Sequence, residues 1–172
     1  MERRDPDART ASGPAAVTPA RPYLLEQIDD AAVVQLYADG FGELSLREKT
    51  LVWHLYRAAI AGRDIYYDQR HRHNLGMRRL LEQIMRHAKG VDEPTLAELT
   101  RYTKLFWINT GPYNNLTARK FLLKLDASQL REAMEVAQRN GADFRLAPGE
   151  TIGALVEKYA PRSEEHTSEL QS

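Results

Sequence analysis

The segment SLREKTLVWHLYRAAIAG, from Ser45 to Gly62, carries the strongest helix signal in the chain. Ser45 and Glu48 fit a capping box, in which the Ser hydroxyl accepts a hydrogen bond from the third helical amide and the Glu side chain reaches back to the cap. Apolar residues then recur on one helix face at Leu51, Leu55, Ala58 and Ala59. The segment therefore predicts an amphipathic helix that begins after Ser45 and ends near Gly62.

Comparable signals predict helices along most of the remaining chain. An early helix is expected from about Tyr23 to Tyr37. No alternating run along the chain is long enough to indicate a strand. Asn74 can cap a second helix, whose apolar face consists of Leu80, Leu81, Ile84, Met85 and Ala88. Pro94 suits the first turn of a third helix, because its missing amide hydrogen would have no partner there. The apolar side of that helix is formed by Leu96, Leu99, Thr103 and Phe106.

Two further helices complete the predicted fold. Asp126 or Ser128 is expected to begin a fourth helix, which ends at Asn140-Gly141 with a left-handed cap. A short last helix is expected from Thr151 to Tyr159. The sequence does not repeat with a period of 34 or 40 residues, so an α-solenoid is not indicated. We therefore predict an all-α fold, an irregular helical assembly whose core includes the aromatic side chains Trp53, Tyr56, Phe106 and Trp107.

Composition argues against several classes of site and partner. The chain has no cysteine, which excludes disulfides and thiolate zinc ligands. No apolar run approaches the ~20 residues that span a bilayer, and no secretory signal is visible, so a cytoplasmic protein without a membrane partner is expected. The net charge is zero; without the last eleven residues, 23 basic residues face 21 acidic ones, a net of +2. That excess is too small to indicate nucleic-acid binding.

The chain is expected to divide into three segments: residues 1–22, 23–161 and 162–172. Residues 1–22 are rich in Arg, Asp, Ala, Thr and Pro without periodicity, which predicts a disordered lead-in. Residues 162–172, RSEEHTSELQS, resemble a translated sequencing adapter and are excluded from fold reasoning. A genuine polar tail is the alternative. The adapter interpretation predicts that the native protein continues past Pro161, so that residues 23–161 form the incomplete N-terminal part of a longer domain.

A series of short segments carries a resemblance to a known family. The segments are Gly40–Lys49, Gly62–Gln69, Asn74-Leu75, Arg78-Arg79, Tyr102–Trp107, and a Gly111 loop that ends at Lys120-Phe121. In this order and spacing they resemble the N-terminal region of bacterial members of the dipeptidyl peptidase III family of zinc metallopeptidases. The resemblance spans roughly Leu36 to Phe121 and lies in the whole set rather than in any one motif.

The resemblance implies a two-lobed hydrolase that releases dipeptides from the N-termini of peptide substrates, with this chain in its zinc-free lobe. The family holds zinc with an H-E-x-x-x-H helix and a further glutamate, a set that leaves an open position for water. None of the five histidines here is followed by Glu. The zinc-binding segment is therefore expected outside this chain, and this chain alone is expected to bind no zinc. A metal role for His71 and His73 is not favoured.

The segment from Asn109 to Thr117 is the candidate functional site. It is rich in turn-forming residues, and Asn side chains offer donors and acceptors suited to an extended peptide backbone. The resemblance implies that this loop reaches the cleft between the lobes, where Leu116 occupies a hydrophobic position that contacts peptide. We therefore predict that an exposed substrate-binding group is formed by Tyr113, Asn114, Asn115 and Leu116. The alternative is that the loop only caps the preceding helix and turns the chain.

Two groups of charged residues have simpler structural interpretations. Arg63, Asp64 and Asp68 resemble an acid–base set, but an ion pair that locks a turn between two helices is favoured, since no nucleophile or metal ligand accompanies them. A solvated basic helix face is expected from Arg70, Arg72, Arg78, Arg79 and Arg86. The alternative function for the whole chain is a non-enzymatic helical module that binds a partner protein through the surface from Tyr66 to Arg79.

Overall fold

The computed structural model describes the backbone of residues 21–163 and the side chains of residues 21–159. Within that range it contains five α-helices and a two-stranded sheet. These elements are β1 (Leu24–Ile28), β2 (Ala31–Val34), α1 (Leu46–Arg70), α2 (Asn74–Arg86), α3 (Glu93–Asn109), α4 (Ala127–Arg139) and α5 (Ile152–Ser163). A short 3-10 helix at Asp39–Glu43 precedes α1. The predicted helical class is confirmed, with the addition of a small sheet.

The predicted helix from Tyr23 to Tyr37 is wrong, because this segment forms an antiparallel hairpin of β1 and β2. Asp29 begins the two-residue turn with a left-handed backbone (φ 52°), a conformation that Asp tolerates better than most residues. Side chains of β1 and of this turn form ion pairs with α3: Lys104 with Glu26 and Arg101 with Asp29. These long-range contacts favour the hairpin over the local helix propensity of the segment.

Helix α1 begins as predicted but continues well past its predicted end. Both bonds of the capping box are present: Glu48 N–H donates to the Ser45 hydroxyl, and Ser45 N–H donates to the Glu48 carboxylate. The helix then runs through Gly62 to Arg70. Its last two turns are held by burial of Tyr67 and by an ion pair between Asp64 and Arg78. Those contacts outweigh the ~1 kcal/mol that a glycine costs inside a helix.

Most of α1 before Gly62 has no packing partner among the described residues. Every residue from Thr50 to Ala61 is exposed, including the predicted stripe at Leu51, Leu55, Ala58 and Ala59. The predicted core positions of Trp53 and Tyr56 are therefore wrong, and Trp107 on α3 is also exposed. Phe106 is buried as predicted. Helical spacing reports which residues share a face, but not whether another element covers it.

The core lies between α2, α3, α4 and α5. It contains Ile84 from α2, Leu99 from α3, Met134 from α4 and Val156 from α5, all almost fully buried. The predicted apolar faces of α2 and α3 are confirmed for their central residues, whereas Met85, Ala88 and Leu96 are half-buried. Burial of these side chains is the main source of stability in this part of the fold.

Most of the predicted starts and ends of the remaining helices agree with the structure. Pro94 lies in the first turn of α3, and Asp126 caps α4 through a capping box with Gln129. Gly141 follows α4 with φ +98°, the left-handed backbone expected after a helix. Asn74 is a correction, because it is the first residue of α2 rather than its cap.

The chain termini fall largely outside the described residues. Of the predicted disordered lead-in at residues 1–22, only Arg21 and Pro22 are described, and Arg21 forms an ion pair with Asp39. Of the predicted adapter at residues 162–172, only the backbone of 162–163 is described, as the end of α5. Among the described helices, none is long and apolar enough to cross a membrane.

Candidate functional site

The candidate loop leaves α3 through two residues with positive φ. Thr110 adopts the left-handed conformation (φ 51°) and Gly111 has φ 154°. A Cβ atom at Gly111 would lie 2.8 Å from the Asn74 side-chain nitrogen, so only glycine fits against α2 here. The chain therefore turns sharply away from α3 while it stays in contact with the first residue of α2.

Residues 112–121 then form a tight reversal. Tyr113 pairs with Lys120 in an isolated antiparallel bridge. Asn114 N–H donates to the Arg119 carbonyl at 2.8 Å, and Phe121 N–H donates to the Pro112 carbonyl at 2.7 Å. At the tip, the Asn114 side-chain oxygen accepts from the amides of Leu116 and Thr117, at 2.8 and 3.0 Å. The Asn114 oxygen is thus occupied by the loop's own backbone.

The other asparagine of the pair is held from two directions. Asn115 N–H donates to the side-chain oxygen of Asn109 at 3.0 Å. The Arg70 guanidinium, at the end of α1, donates to the Asn115 side-chain oxygen and to the Asn109 carbonyl. Asn109 is buried and donates in turn to the Leu105 carbonyl of α3. The loop tip is therefore tied to the rigid ends of α1 and α3.

This geometry exposes one apolar side chain and two amide donors. Leu116 is 95% exposed, Asn115 is exposed, and Tyr113 and Asn114 are half-buried. The predicted exposure thus holds for Leu116 and Asn115 and is only partial for the other two. The NH2 groups of Asn114 and Asn115 make no hydrogen bond within the described part of the chain, whereas their oxygens are used. The tip can therefore donate to peptide carbonyls and contact one apolar group. It offers no acid, base or nucleophile.

A small cavity of about 200 Å³ adjoins the loop. Its lining is formed by Arg70, His71, Asn74, Gly111, Pro112 and Tyr113. Asn74 donates to the Thr110 carbonyl at 3.3 Å, but its buried side-chain oxygen has no hydrogen-bond partner in the described structure. A bound water is the usual partner of such a group.

The charged group in the last part of α1 contains the predicted ion pair, since Arg63 lies 3.7 Å from Asp64, but both residues lie inside α1 rather than in a turn between two helices. Arg78 of α2 donates to the same carboxylate at the shorter distance of 2.6 Å. The hydrogen bond from Arg78 lowers the pKa of the Asp64 carboxyl below its usual value. Arg78 also pairs with Glu82 and lies over the Tyr67 ring. The expected solvated basic face is therefore wrong for Arg78, which is buried, while its neighbour Arg79 is exposed.

The described residues do not fit a catalytic zinc site. The His71 and His73 rings lie 5.2 Å apart, and both residues are half-buried. No group of three or more His, Cys, Asp or Glu side chains that could hold a metal ion occurs among the residues that the structure describes.

A larger cavity, of about 520 Å³, lies between β1 and α3. Its cationic side chains are already occupied, since Lys104 pairs with Glu26 at 2.5 Å and Arg101 pairs with Asp29 at 2.6 Å. Glu98 also accepts two hydrogen bonds from Arg101. These pairs hold the hairpin on α3, so we assign the cavity no ligand.

Sequence reasoning missed two residues that hold the loop, Arg70 and Asn74, and it missed the bracing role of Asn109, which lies inside the predicted segment. Asn109 carried a weak signal, as a polar residue at the end of an otherwise apolar helix stretch. Arg70 and Asn74 are separated by 45 and 36 residues of sequence from the loop residues to which they donate hydrogen bonds. No pattern in the neighbouring sequence indicates these contacts.

Comparison with known proteins leaves the family open. A scan of the chain against models of protein families gave no match, and a comparison with curated proteins gave none either. The resemblance to dipeptidyl peptidase III therefore stays a prediction that is carried by the segments quoted for it.

Proposed function

We propose that this chain is the N-terminal part of a zinc-dependent hydrolase resembling dipeptidyl peptidase III, in which the loop from Tyr113 to Leu116 forms one wall of the peptide cleft. The whole enzyme would release dipeptides from the N-termini of peptides. This chain would belong to the zinc-free lobe, and the catalytic zinc would be held by residues outside it.

The observation that carries this proposal is the exposed leucine on a braced loop. Leu116 is 95% exposed, yet the backbone that presents it is fixed by Asn114, Asn109 and Arg70. A loop that only turned the chain would need no apolar side chain at its tip. A rigid tip with one apolar group and two amide donors suits an extended peptide, because the ordering cost on binding is small.

The complete gene product provides the test. We expect the reading frame that contains this chain to continue into an H-E-x-x-x-H segment and a later glutamate-bearing helix. The purified full-length protein should contain about one zinc per chain by elemental analysis and release dipeptides from an unblocked peptide. An N-acetylated copy of the same peptide is the control and should resist cleavage. A stop codon soon after Pro161, or a full-length protein without zinc and without activity, would refute the proposal.

A second candidate, a non-enzymatic interaction module, is favoured by the exposed apolar part of α1. The surface first considered for it, from Tyr66 to Arg79, is less suitable, because Tyr67 and Arg78 are buried. Both functions leave the apolar part of α1 exposed, so both predict binding of a hydrophobic dye. A module complete in itself should unfold in one cooperative transition, whereas an incomplete lobe should unfold over a broad temperature range. The cooperativity of thermal unfolding of the 172-residue chain therefore separates the two functions.

A further inference from the structure

The end of α4 carries a chemically labile pair of residues, Asn140-Gly141. It is the only place in the sequence where glycine follows asparagine, since the other four asparagines precede Leu, Thr or Asn. An asparagine side chain can be attacked by the backbone nitrogen of the next residue, which closes a five-membered succinimide ring. Glycine hinders this attack least, because it has no Cβ atom. The pair is therefore the part of the chain most prone to spontaneous deamidation.

In the folded chain the Asn140 carboxamide holds two helix ends together. Its NH2 group donates to the carbonyls of His87 and Lys89, at 2.8 and 2.6 Å, in the turn that follows α2. The His87 ring donates back through Nδ1 to the Asn140 carbonyl at 3.0 Å, since a carbonyl can only accept. We call these three hydrogen bonds the Asn140 clamp. The clamp joins the end of α4 to the end of α2.

The folded backbone also keeps the reactive atoms of the pair apart. Attack requires the Gly141 nitrogen to lie on the same side of the Cα–C bond as the Asn140 side chain. With ψ of Asn140 at 5°, the Gly141 nitrogen is instead eclipsed with the backbone nitrogen of Asn140. The Gly141 N–H donates to the Gln138 carbonyl at 3.0 Å, which fixes it there. Deamidation therefore requires the end of α4 to open first.

We propose that Asn140-Gly141 is a latent modification site, at which opening of the Asn140 clamp allows deamidation and deamidation then prevents the clamp from reforming. In the first step the Gly141 nitrogen bonds to Asn140 Cγ, the bond from Cγ to the side-chain nitrogen breaks, and ammonia leaves with the proton of the Gly141 N–H. Water then opens the succinimide at either carbonyl, which gives aspartate or isoaspartate. The site would act in the same way whether or not the chain belongs to a peptidase.

Neither product can replace the carboxamide in the clamp. A carboxylate has acceptors only, and here it would face the His87 and Lys89 carbonyl oxygens, which are acceptors too. Isoaspartate also lengthens the main chain by a methylene group. That shift disturbs the bonds that end α4, such as the one from Ala142 N–H to the Ala137 carbonyl at 2.9 Å. The modification therefore converts a transient opening between α2 and α4 into a lasting one.

Digestion with endoproteinase Lys-C separates the asparagines into three peptides, which gives the experiment internal controls. Residues 125–158 contain Asn140 as their only asparagine, residues 50–89 contain Asn74, and residues 105–120 contain the other three. The 172-residue chain would be incubated at mildly alkaline pH in native buffer and in guanidinium chloride. The gain in mass that deamidation causes would be followed in each peptide, and chromatography would separate aspartate from isoaspartate.

The fold should control the rate at Asn140. In guanidinium chloride we expect Asn140 to deamidate faster than the other asparagines. In native buffer its rate should be at least about 10-fold lower, because the reaction must wait for local opening. Equal rates in the two solvents would overturn the proposal.

Two variants open the clamp without altering the reactive pair. His87→Ala removes the ring donor, and Gln83→Ala removes the side-chain oxygen that accepts from the Asp143 N–H at 3.0 Å. Both should raise the native rate several-fold and leave the rate in guanidinium chloride unchanged. Gln138→Ala, at an exposed position of the same helix end, is the matched control and should change neither rate. Circular dichroism checks that each variant is folded, and a native rate that neither clamp variant raises would overturn the proposal.

The lasting effect of the modification is tested by Asn140→Asp. We expect this variant to lower the midpoint of thermal unfolding by about 3–8 °C, since the His87 and Lys89 carbonyls lose their donor. Native chain that has been deamidated in guanidinium chloride and refolded should show a comparable loss. If Asn140→Asp keeps the native midpoint, deamidation has no lasting consequence for the joint and the proposal is wrong.

Discussion

Arg78 of α2 donates a hydrogen bond to the Asp64 carboxylate of α1 at 2.6 Å, and the same guanidinium donates to Glu82 at 2.7 Å. Its centre also lies 4.8 Å from that of the Tyr67 ring. Because the first half of α1 has no packing partner in the described structure, this cluster carries much of the attachment of α1 to the core. A buried guanidinium is tolerated here because two carboxylates and an aromatic face replace its water.

Replacement of Arg78 should therefore weaken the attachment of α1 to the core. We expect Arg78→Met to lower the free energy of unfolding by about 2 kcal/mol, because the apolar chain keeps the volume but leaves Asp64 and Glu82 without their donor. Asp64 is half-exposed, so water offsets part of the loss. Arg79→Met, at the exposed neighbouring position, should change the value by less than ~0.5 kcal/mol. Urea unfolding of both variants measures the difference, and equal effects would contradict the role of Arg78.

The same ion pair predicts a pH dependence. The Arg78 hydrogen bond lowers the pKa of Asp64 in the folded state. Its contribution is therefore present above the unfolded pKa, about 4, and is lost as the pH falls through the lower folded value. We expect the stability of the native chain to fall more steeply below pH 4 than that of Asp64→Asn. Unfolding midpoints between pH 2 and 6 test this, and parallel curves would show that Asp64 is not coupled to folding.

Gly76 lets Tyr159 pack closely against α2. A Cβ atom at Gly76 would lie 3.1 Å from the Tyr159 ring carbon that bears the hydroxyl, and closer still to the hydroxyl itself. We expect Gly76→Ala to lower the free energy of unfolding by about 1 kcal/mol, because displacement of Tyr159 from the core outweighs the ~1 kcal/mol that alanine gains in helix propensity.

The matched control is Gly76→Ala in a Tyr159→Ala background, where the expected change in the free energy of unfolding has the opposite sign. Without the Tyr159 ring the added methyl group meets no steric clash, so Gly76→Ala should raise the free energy of unfolding by up to about 1 kcal/mol. A double-mutant cycle measured by chemical denaturation gives the coupling between the two positions. If Gly76→Ala has the same effect in both backgrounds, Tyr159 does not pack against Gly76 in solution.

Tyr102 is fully buried in the core, and its hydroxyl has no hydrogen-bond partner among the described residues. Removal of an unpartnered buried hydroxyl lifts a desolvation cost. We therefore expect Tyr102→Phe to leave the free energy of unfolding unchanged or to raise it by up to about 1 kcal/mol. Tyr102→Leu, which changes the shape of the core, should lower it. A clear loss in Tyr102→Phe would show that the hydroxyl has a bound water or another partner.

Burial raises the pKa of Tyr102 in the folded state. The protonated form is therefore favoured by folding, and stability falls as the pH rises above the unfolded value of about 10. The free energy of unfolding of Tyr102→Phe should therefore fall less steeply above about pH 10 than that of the native chain. This difference in pH dependence separates the effect of the hydroxyl from a change in packing.

The features that sequence predicted are those decided by a few neighbouring residues. The capping box at Ser45, the helix start at Asp126, Pro94 in a first turn and the left-handed Gly141 all depend on groups within four positions of one another. The hairpin of β1 and β2 was missed because its support comes from Arg101 and Lys104, more than 70 residues away. No local pattern in Leu24–Ile28 reports those ion pairs.

The candidate site shows the same limit. Its turn-forming composition identified the loop, and the exposure of Leu116 followed from an apolar residue among polar neighbours. Arg70 braces the loop from 45 residues away and was not foreseen, whereas Asn109 lies inside the predicted segment and only its bracing role was missed. Trp53 and Tyr56 were placed in the core on spacing alone, and no element within the described residues covers them.

Leu116 provides the sharpest test of the candidate site, because its side chain makes almost no packing contribution. At 95% exposure, Leu116→Ala should leave the free energy of unfolding within ~0.5 kcal/mol of the native value. A loop that only turns the chain would then show no other effect either. If the tip contacts peptide, the same substitution in the full-length enzyme should raise KM about 10-fold with little change in kcat, which corresponds to ~1.4 kcal/mol of uniform binding.

Two further variants make the result for Leu116 specific. Leu36→Ala removes a leucine that is also largely exposed but lies outside the loop, so it should leave both stability and KM unchanged. Asn115→Ala removes an amide donor together with the oxygen that accepts from Arg70; it should raise KM and also loosen the loop, which hydrogen exchange at residues 113–118 would detect. Because Leu116→Ala should leave that exchange unchanged, a rise in KM without faster exchange identifies direct contact with substrate. If Leu116→Ala, Asn115→Ala and the native enzyme share one kcat/KM on dipeptidyl substrates, the loop only turns the chain.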